Sequence, residues 1–138
     1  MPVLSDRVGT FTDSVIRRMT RINNQYNSIN LSQGFPDFDP PQQLLDALAK
    51  TAYNGPHQYA VTFGAQNFRE ALAKKTSPAL HHEVDPNTEV CVTCGGTEAM
   101  MAAMMTICNP GDKVMIFSPF YENYGADAIL SGAEPIYI

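Results

Sequence analysis

Val90-Cys91-Val92-Thr93-Cys94-Gly95-Gly96-Thr97-Glu98-Ala99-Met100 is the stretch that decides the fold. An apolar, β-branched run ends at two glycines and a threonine, and an apolar helical pattern follows at once. The expectation is a strand over 89–93, a tight turn, and a helix over 97–108. Gly95 and Gly96 allow a sharp turn and a close approach of backbone to a ligand. The free N–H groups and aligned peptide dipoles of a helix start favour an anion, and Thr97 adds a hydroxyl. The turn reads as a phosphate cradle. Gly-Gly also serves ordinary strand-to-helix turns, so these residues alone leave both readings open.

Downstream, the pattern repeats. Asn109-Pro110-Gly111-Asp112 is a turn, Lys113–Phe117 a strand, Tyr124–Leu130 a helix closed by Gly132, and Glu134–Ile138 a strand. Successive β-α-β units predict an α/β fold with a mostly parallel sheet. The helix holding Ala99-Met100-Met101-Ala102-Ala103-Met104-Met105 is apolar nearly all round, which predicts burial, with methionine as core filler.

Upstream, the periodicity is helical. Thr10–Asn24 carries a stripe of Val15, Ile16, Met19 and Ile22, with Thr12 or Asp13 as cap. Gln42–Tyr53, opened by Pro40-Pro41, turns Leu44, Leu45, Leu48 and Ala52 inward. Asn67–Lys75 does the same with Phe68, Ala71 and Leu72, and Ser77-Pro78 closes it. Between the first two lies the turn-rich loop Ser32-Gln33-Gly34-Phe35-Pro36-Asp37-Phe38-Asp39-Pro40-Pro41.

The 138 residues suffice for a small domain, and 44% hydrophobic with 17% charged residues is a globular composition. A net charge of −5 without a Lys/Arg cluster argues against nucleic acid as a partner. No apolar run reaches the ~18 residues of a membrane span, and the start lacks a signal-peptide core, so a cytoplasmic protein is expected. Cys91 and Cys94 spell C-x-x-C, but residues three apart on a strand face opposite ways, and no second pair completes a zinc site. Two buried structural cysteines are expected, and His81-His82 reads as solvated loop. The chain stops at Pro135-Ile136-Tyr137-Ile138, inside an apolar strand, and so reads as truncated.

Four blocks in order resemble the N-terminal part of class I/II aminotransferases, pyridoxal-phosphate enzymes of the aspartate aminotransferase fold (fold type I). The likeness is to the kynurenine/methionine aminotransferase-like branch. The blocks are Asn30-Leu31-Ser32-Gln33-Gly34-Phe35-Pro36-Asp37-Phe38; Tyr59-Ala60-Val61-Thr62-Phe63-Gly64 with Phe68-Arg69; Val92-Thr93-Cys94-Gly95-Gly96-Thr97-Glu98-Ala99; and Asn109-Pro110-Gly111-Asp112-Lys113-Val114 leading into Pro119-Phe120-Tyr121-Glu122-Asn123-Tyr124.

The resemblance implies an N-terminal arm and small-domain helices over 1–55 and the incomplete start of the cofactor-binding large domain over 56–138. It implies pyridoxal 5′-phosphate as cofactor, with Gly95, Gly96 and Thr97 at its phosphate and Tyr121 stacked on its ring. Tyr59 would reach the phosphate of the other subunit of a homodimer, and Gly34 would lie against the substrate carboxylate. Tyr124 backs the ring or packs in the core. The substrates implied are an amino acid and a 2-oxo acid. The Schiff-base lysine of the family is absent: Lys50, Lys74, Lys75 and Lys113 do not follow Ser or Thr by three. The chain alone therefore holds a cofactor without performing chemistry. In this family the first large-domain strand is separated from the next two by strands supplied later, so 89–93 should lack its neighbours here. A carbon–sulfur β-lyase of the same fold would share these blocks. A non-catalytic phosphate-binding α/β module lacks both G-x-G-x-x-G and G-K-[ST].

Overall fold

The computed structural model describes residues 3–138. A short 3₁₀ helix, Asp6–Thr10, precedes α1 (Val15–Tyr26), α2 (Gln42–Asn54), α3 (Gln66–Leu80) and α4 (Gly95–Ile107). Then come β1 (Lys113–Ile116), α5 (Asn123–Leu130) and β2 (Glu134–Tyr137). The α/β reading holds. β1 and β2 pair in parallel, with Lys113 opposite Glu134 and Ile116 opposite Tyr137. The ladder continues past β1, where Ser118 N–H donates to the Ile138 carbonyl at 2.7 Å. α5 is the crossover between the strands and packs on both of them and on α4. The buried apolar side chains Ile116, Ala128 and Ala133 sit at this junction.

The turns obey local chemistry. Asp112 Oδ2 accepts the Asn109 N–H at 2.7 Å, and Gly111 donates to the Gly132 carbonyl at 3.0 Å, tying the turn before β1 to the turn before β2. Asp and Asn side chains substitute for backbone partners in such turns.

Five expectations need correction. Residues 89–93 form no strand. They have no regular secondary structure, with a bend at Glu89, and Val92 N–H donates to the Phe63 carbonyl at 3.0 Å. A strand exists only with a ladder partner, and the sheet described here contains β1 and β2 alone. The first helix starts at Val15, capped by Ser14, whose hydroxyl accepts the Arg17 N–H at 3.3 Å. Neither Thr12 nor Asp13 takes that role. α3 runs through Ser77-Pro78 and ends where His81 adopts a left-handed φ of 50°. Proline forfeits a single helical bond, whereas a left-handed residue redirects the chain.

The apolar stripes are open. Leu44, Leu45, Leu48, Met19 and Phe68 are all exposed, Ala52 and Ala71 as well, and α4 buries no residue. Periodicity marks which face seeks cover, but cover must come from another element. Finally, Cys91 and Cys94 are exposed free thiols rather than core residues. They lie in and beside the same segment, which no strand pairs in the described sheet.

One buried polar residue organises the middle of the chain. Arg69, 6% exposed, donates through Nε to the Gly64 carbonyl at 3.1 Å and through Nη1 to the Pro86 carbonyl at 2.7 Å, and its Nη2 meets Gln66 Oε1. It fastens the Tyr59–Gly64 segment to α3 and to the loop leading toward Val90. Gly64, at φ +106°, lies so close to Val92 that an added Cβ would stand 2.4 Å from Val92 Cγ2.

Candidate functional site: an anion cradle at the start of α4

The turn into α4 is built by glycine geometry and local hydrogen bonds. Gly95 takes φ +79°, a conformation that other residues adopt only with strain. Its N–H donates to the Thr93 carbonyl at 2.9 Å, and Thr93 Oγ1 donates to the Gly95 carbonyl at 3.0 Å. Glu98 reaches back to accept the Cys94 N–H, as a capping residue does. Among the described residues, no acceptor takes the N–H of Gly96 or Thr97. These two donors sit at the positive end of the helix. A Cβ built at Gly96 meets nothing within 4 Å, so the space before the donors is open.

That space is a cavity of about 410 Å³ lined by Gly96, Thr97, Met100, Tyr121, Asn123 and Tyr124. Tyr121 comes to it from the loop after β1. The preceding Phe120 stacks on Tyr137 of β2, ring centres 4.8 Å apart. Tyr121 packs edge-on against Tyr124 at 5.9 Å. The cavity is thus lined by an aromatic pair together with the N-terminal turn of a helix. The arrangement suits a flat, apolar ring that carries an anionic group.

Gly96, Thr97 and Tyr121 are therefore brought together, with Gly95 shaping the turn beneath them. Tyr59 and Gly34 do not line this cavity. Tyr59 is 98% exposed, and Gly34 lies in an exposed loop. Lys50, Lys74, Lys75 and Lys113 are all exposed and none lines the cavity. Tyr124, for which ring-backing and core packing were both open, lines the cavity behind Tyr121. Asn123 and Glu98 were not singled out from sequence. Both lie inside quoted blocks, yet only the approach of α5 to α4 shows Asn123 beside Thr97.

A second cavity, about 490 Å³, lies between residues 10–17 and α5. Its walls are held by Ser14 Oγ donating to Glu122 Oε1 at 2.5 Å. It shares Asn123 with the cradle. No group of three or more potential metal ligands occurs among the described residues, and no helix there is long and apolar enough to cross a membrane.

The chain matches the family Aminotransferase class I and II over residues 26–138. It belongs to that family. It is 40% identical over 119 residues to a methionine aminotransferase of Escherichia coli, covering 86% of this chain and 31% of that protein. It is 33% identical over 135 residues to a kynurenine–oxoglutarate transaminase of Dictyostelium discoideum, covering 97% of this chain and 31% of that protein. Among solved structures, an Escherichia coli protein described as having a methionine aminotransferase function superposes with TM-score 0.91 at 35% identity, over all of this chain and 36% of that one. The chain spans about a third of the length of these relatives. The fold is accordingly the aspartate aminotransferase fold, present in part. The matched segment contains the cradle, Tyr121 and Tyr59.

Proposed function

We propose that the polypeptide carrying this chain is a pyridoxal-phosphate-dependent transaminase that moves an amino group between an amino acid and a 2-oxo acid. The observation that carries this reading is that Gly96 and Thr97, whose N–H groups have no partner among the described residues, line one cavity together with Tyr121. The open space at Gly96 has room for a phosphate, which a Cβ would obstruct. In this reading Gly96 and Thr97 donate to the phosphate, Thr97 adds its hydroxyl, and Gly95 supplies the turn. Tyr121 lays its ring against the pyridine without bringing a competing charge. Bound there, pyridoxal phosphate would supply an electron sink for negative charge developing at the substrate α-carbon.

The division of labour follows from what this chain holds. Its residues bind and orient. No lysine lines the cavity, so proton transfer and covalent attachment of the cofactor fall to residues outside it. Residues 1–55 serve as the arm and small-domain side, and residues 56–138 begin the large domain. Gly34 would meet the substrate carboxylate, and Tyr59 the phosphate of a second subunit in a homodimer. The exposure of the Tyr59 ring agrees with a role toward another chain.

Gly96→Val tests the cradle. No neighbour stands within 4 Å of its Cβ position, so the fold should survive. Cofactor affinity should fall by ~1–3 kcal/mol, the value of stranded hydrogen bonds to a charged group. Titration with pyridoxal phosphate reads this directly, and unchanged affinity in a folded variant would show the turn to be structural only. The 138-residue chain alone should show no turnover. A single stoichiometric lysine adduct after borohydride reduction, with turnover, would overturn that statement.

A further inference from the structure

Thr97 is the one side chain of the Gly95-Gly96-Thr97 turn that can donate to an anion, and a threonine hydroxyl rotates freely unless something fixes it. It carries one proton and two lone pairs. Asn123 Nδ2 donates to Thr97 Oγ1 at 3.4 Å. Asn123 is the first residue of α5, half-buried, and lines the same cavity. Its backbone is placed by the packing of α5 on α4 and on both strands, not by any contact with the ligand space.

We propose that Asn123 is a positioning residue for the phosphate site: by filling a lone pair of Thr97 Oγ1, its amide turns the Thr97 proton outward, toward the anion. This rests on the cradle reading above. An amide can occupy that lone pair only by donating, which leaves the hydroxyl proton no acceptor on Asn123 Nδ2 and makes Thr97 a committed donor. A donor fixed before the ligand arrives loses less rotational freedom on binding than a free one. The effect should act on the phosphate and not on the ring.

The test is a double-mutant cycle in the complete polypeptide, read by equilibrium titration with pyridoxal 5′-phosphate and, in parallel, with pyridoxal, which has the same ring and no phosphate. Variants are Asn123→Ala, Thr97→Val and the pair. Asn123→Leu, which keeps the branching of the asparagine side chain without its donors, carries the measurement if the alanine variant does not fold. Asn123→Ala should weaken pyridoxal phosphate about 5–10-fold, in the range of one ordinary neutral hydrogen bond, and leave pyridoxal within twofold. In the Thr97→Val background the same substitution should change pyridoxal phosphate by less than twofold, because the hydroxyl it orients is gone. Equal weakening of both compounds would mean that Asn123 merely supports the cavity, and additivity of the two substitutions would mean that it acts independently of Thr97. Either result refutes the proposal while leaving the cradle intact. A parent protein that binds pyridoxal as tightly as its phosphate ester would refute the cradle reading and this proposal with it.

Discussion

Gly64→Ala should be among the most damaging single-methyl additions in this chain. Two effects add. Gly64 has φ +106°, outside the left-handed region that alanine tolerates, and such strain is worth ~1–3 kcal/mol. The new methyl would also stand 2.4 Å from Val92 Cγ2 and 2.7 Å from Val92 Cβ. Valine is stiff about χ1 and cannot swing clear, so overpacking adds ~1–3 kcal/mol. The total, on the order of 2–6 kcal/mol, rivals the whole stability of many domains. Relief by backbone movement would stretch the Val92 N–H bond to the Phe63 carbonyl, now 3.0 Å, and shift the segment that leads into Gly95. Cofactor affinity should therefore fall along with stability. Urea denaturation of the complete polypeptide, with m unchanged, measures the first effect. Val92→Ala in the Gly64→Ala background removes the 2.4 Å contact but keeps the one at 2.7 Å. The cycle should accordingly show a favourable coupling of ~1 kcal/mol and no full rescue. A loss below ~1 kcal/mol for Gly64→Ala, or zero coupling to Val92, would refute the reasoning.

Other outcomes follow from single sites. Tyr59→Phe should leave the fold intact, since the ring is 98% exposed, and should weaken both cofactor affinity and cofactor-linked dimer stability by ~1.5–3 kcal/mol; sedimentation with and without pyridoxal phosphate checks it, and a parent that stays monomeric with cofactor bound removes the cross-subunit role. Glu89 is held below its ordinary 4.5 by the Asp85 N–H and then by His82. Its contribution is therefore complete above 4.5 and lost as pH falls through the lower folded value. The stability gap between parent and Glu89→Gln should close on acidification, and a gap that widens would contradict the sign. Asp127, 5% exposed with Oδ2 unpartnered, is pushed above 3.8 by burial. The native state then keeps its proton longer than the unfolded chain, so stability declines as pH rises from 3.8 toward the folded value. Asp127→Asn should flatten that decline in thermal melts between acid and neutral pH.

What the sequence determined by itself is the local structure and the family. The Gly95-Gly96-Thr97 turn, the α4 start and the β1-α5-β2 unit follow from backbone preferences and short-range hydrogen bonds, which reside in neighbouring residues. The four ordered blocks were enough to indicate an aminotransferase. Whether 89–93 becomes a strand depends on a partner edge, and none pairs with it among the described residues. The same holds for Leu44, Leu48 and the α4 methionines, whose periodicity announces a face without supplying its cover. Tertiary structure alone decided three further points: that Arg69 ties Gly64 to Pro86, that Phe120 packs on Tyr137 and leaves Tyr121 to the cavity, and that Asn123 reaches Thr97 across 26 positions. The last two are set by how α5 seats against α4 and the sheet, and the first by how the loop at Pro86 returns to α3, packing geometry that no local pattern encodes.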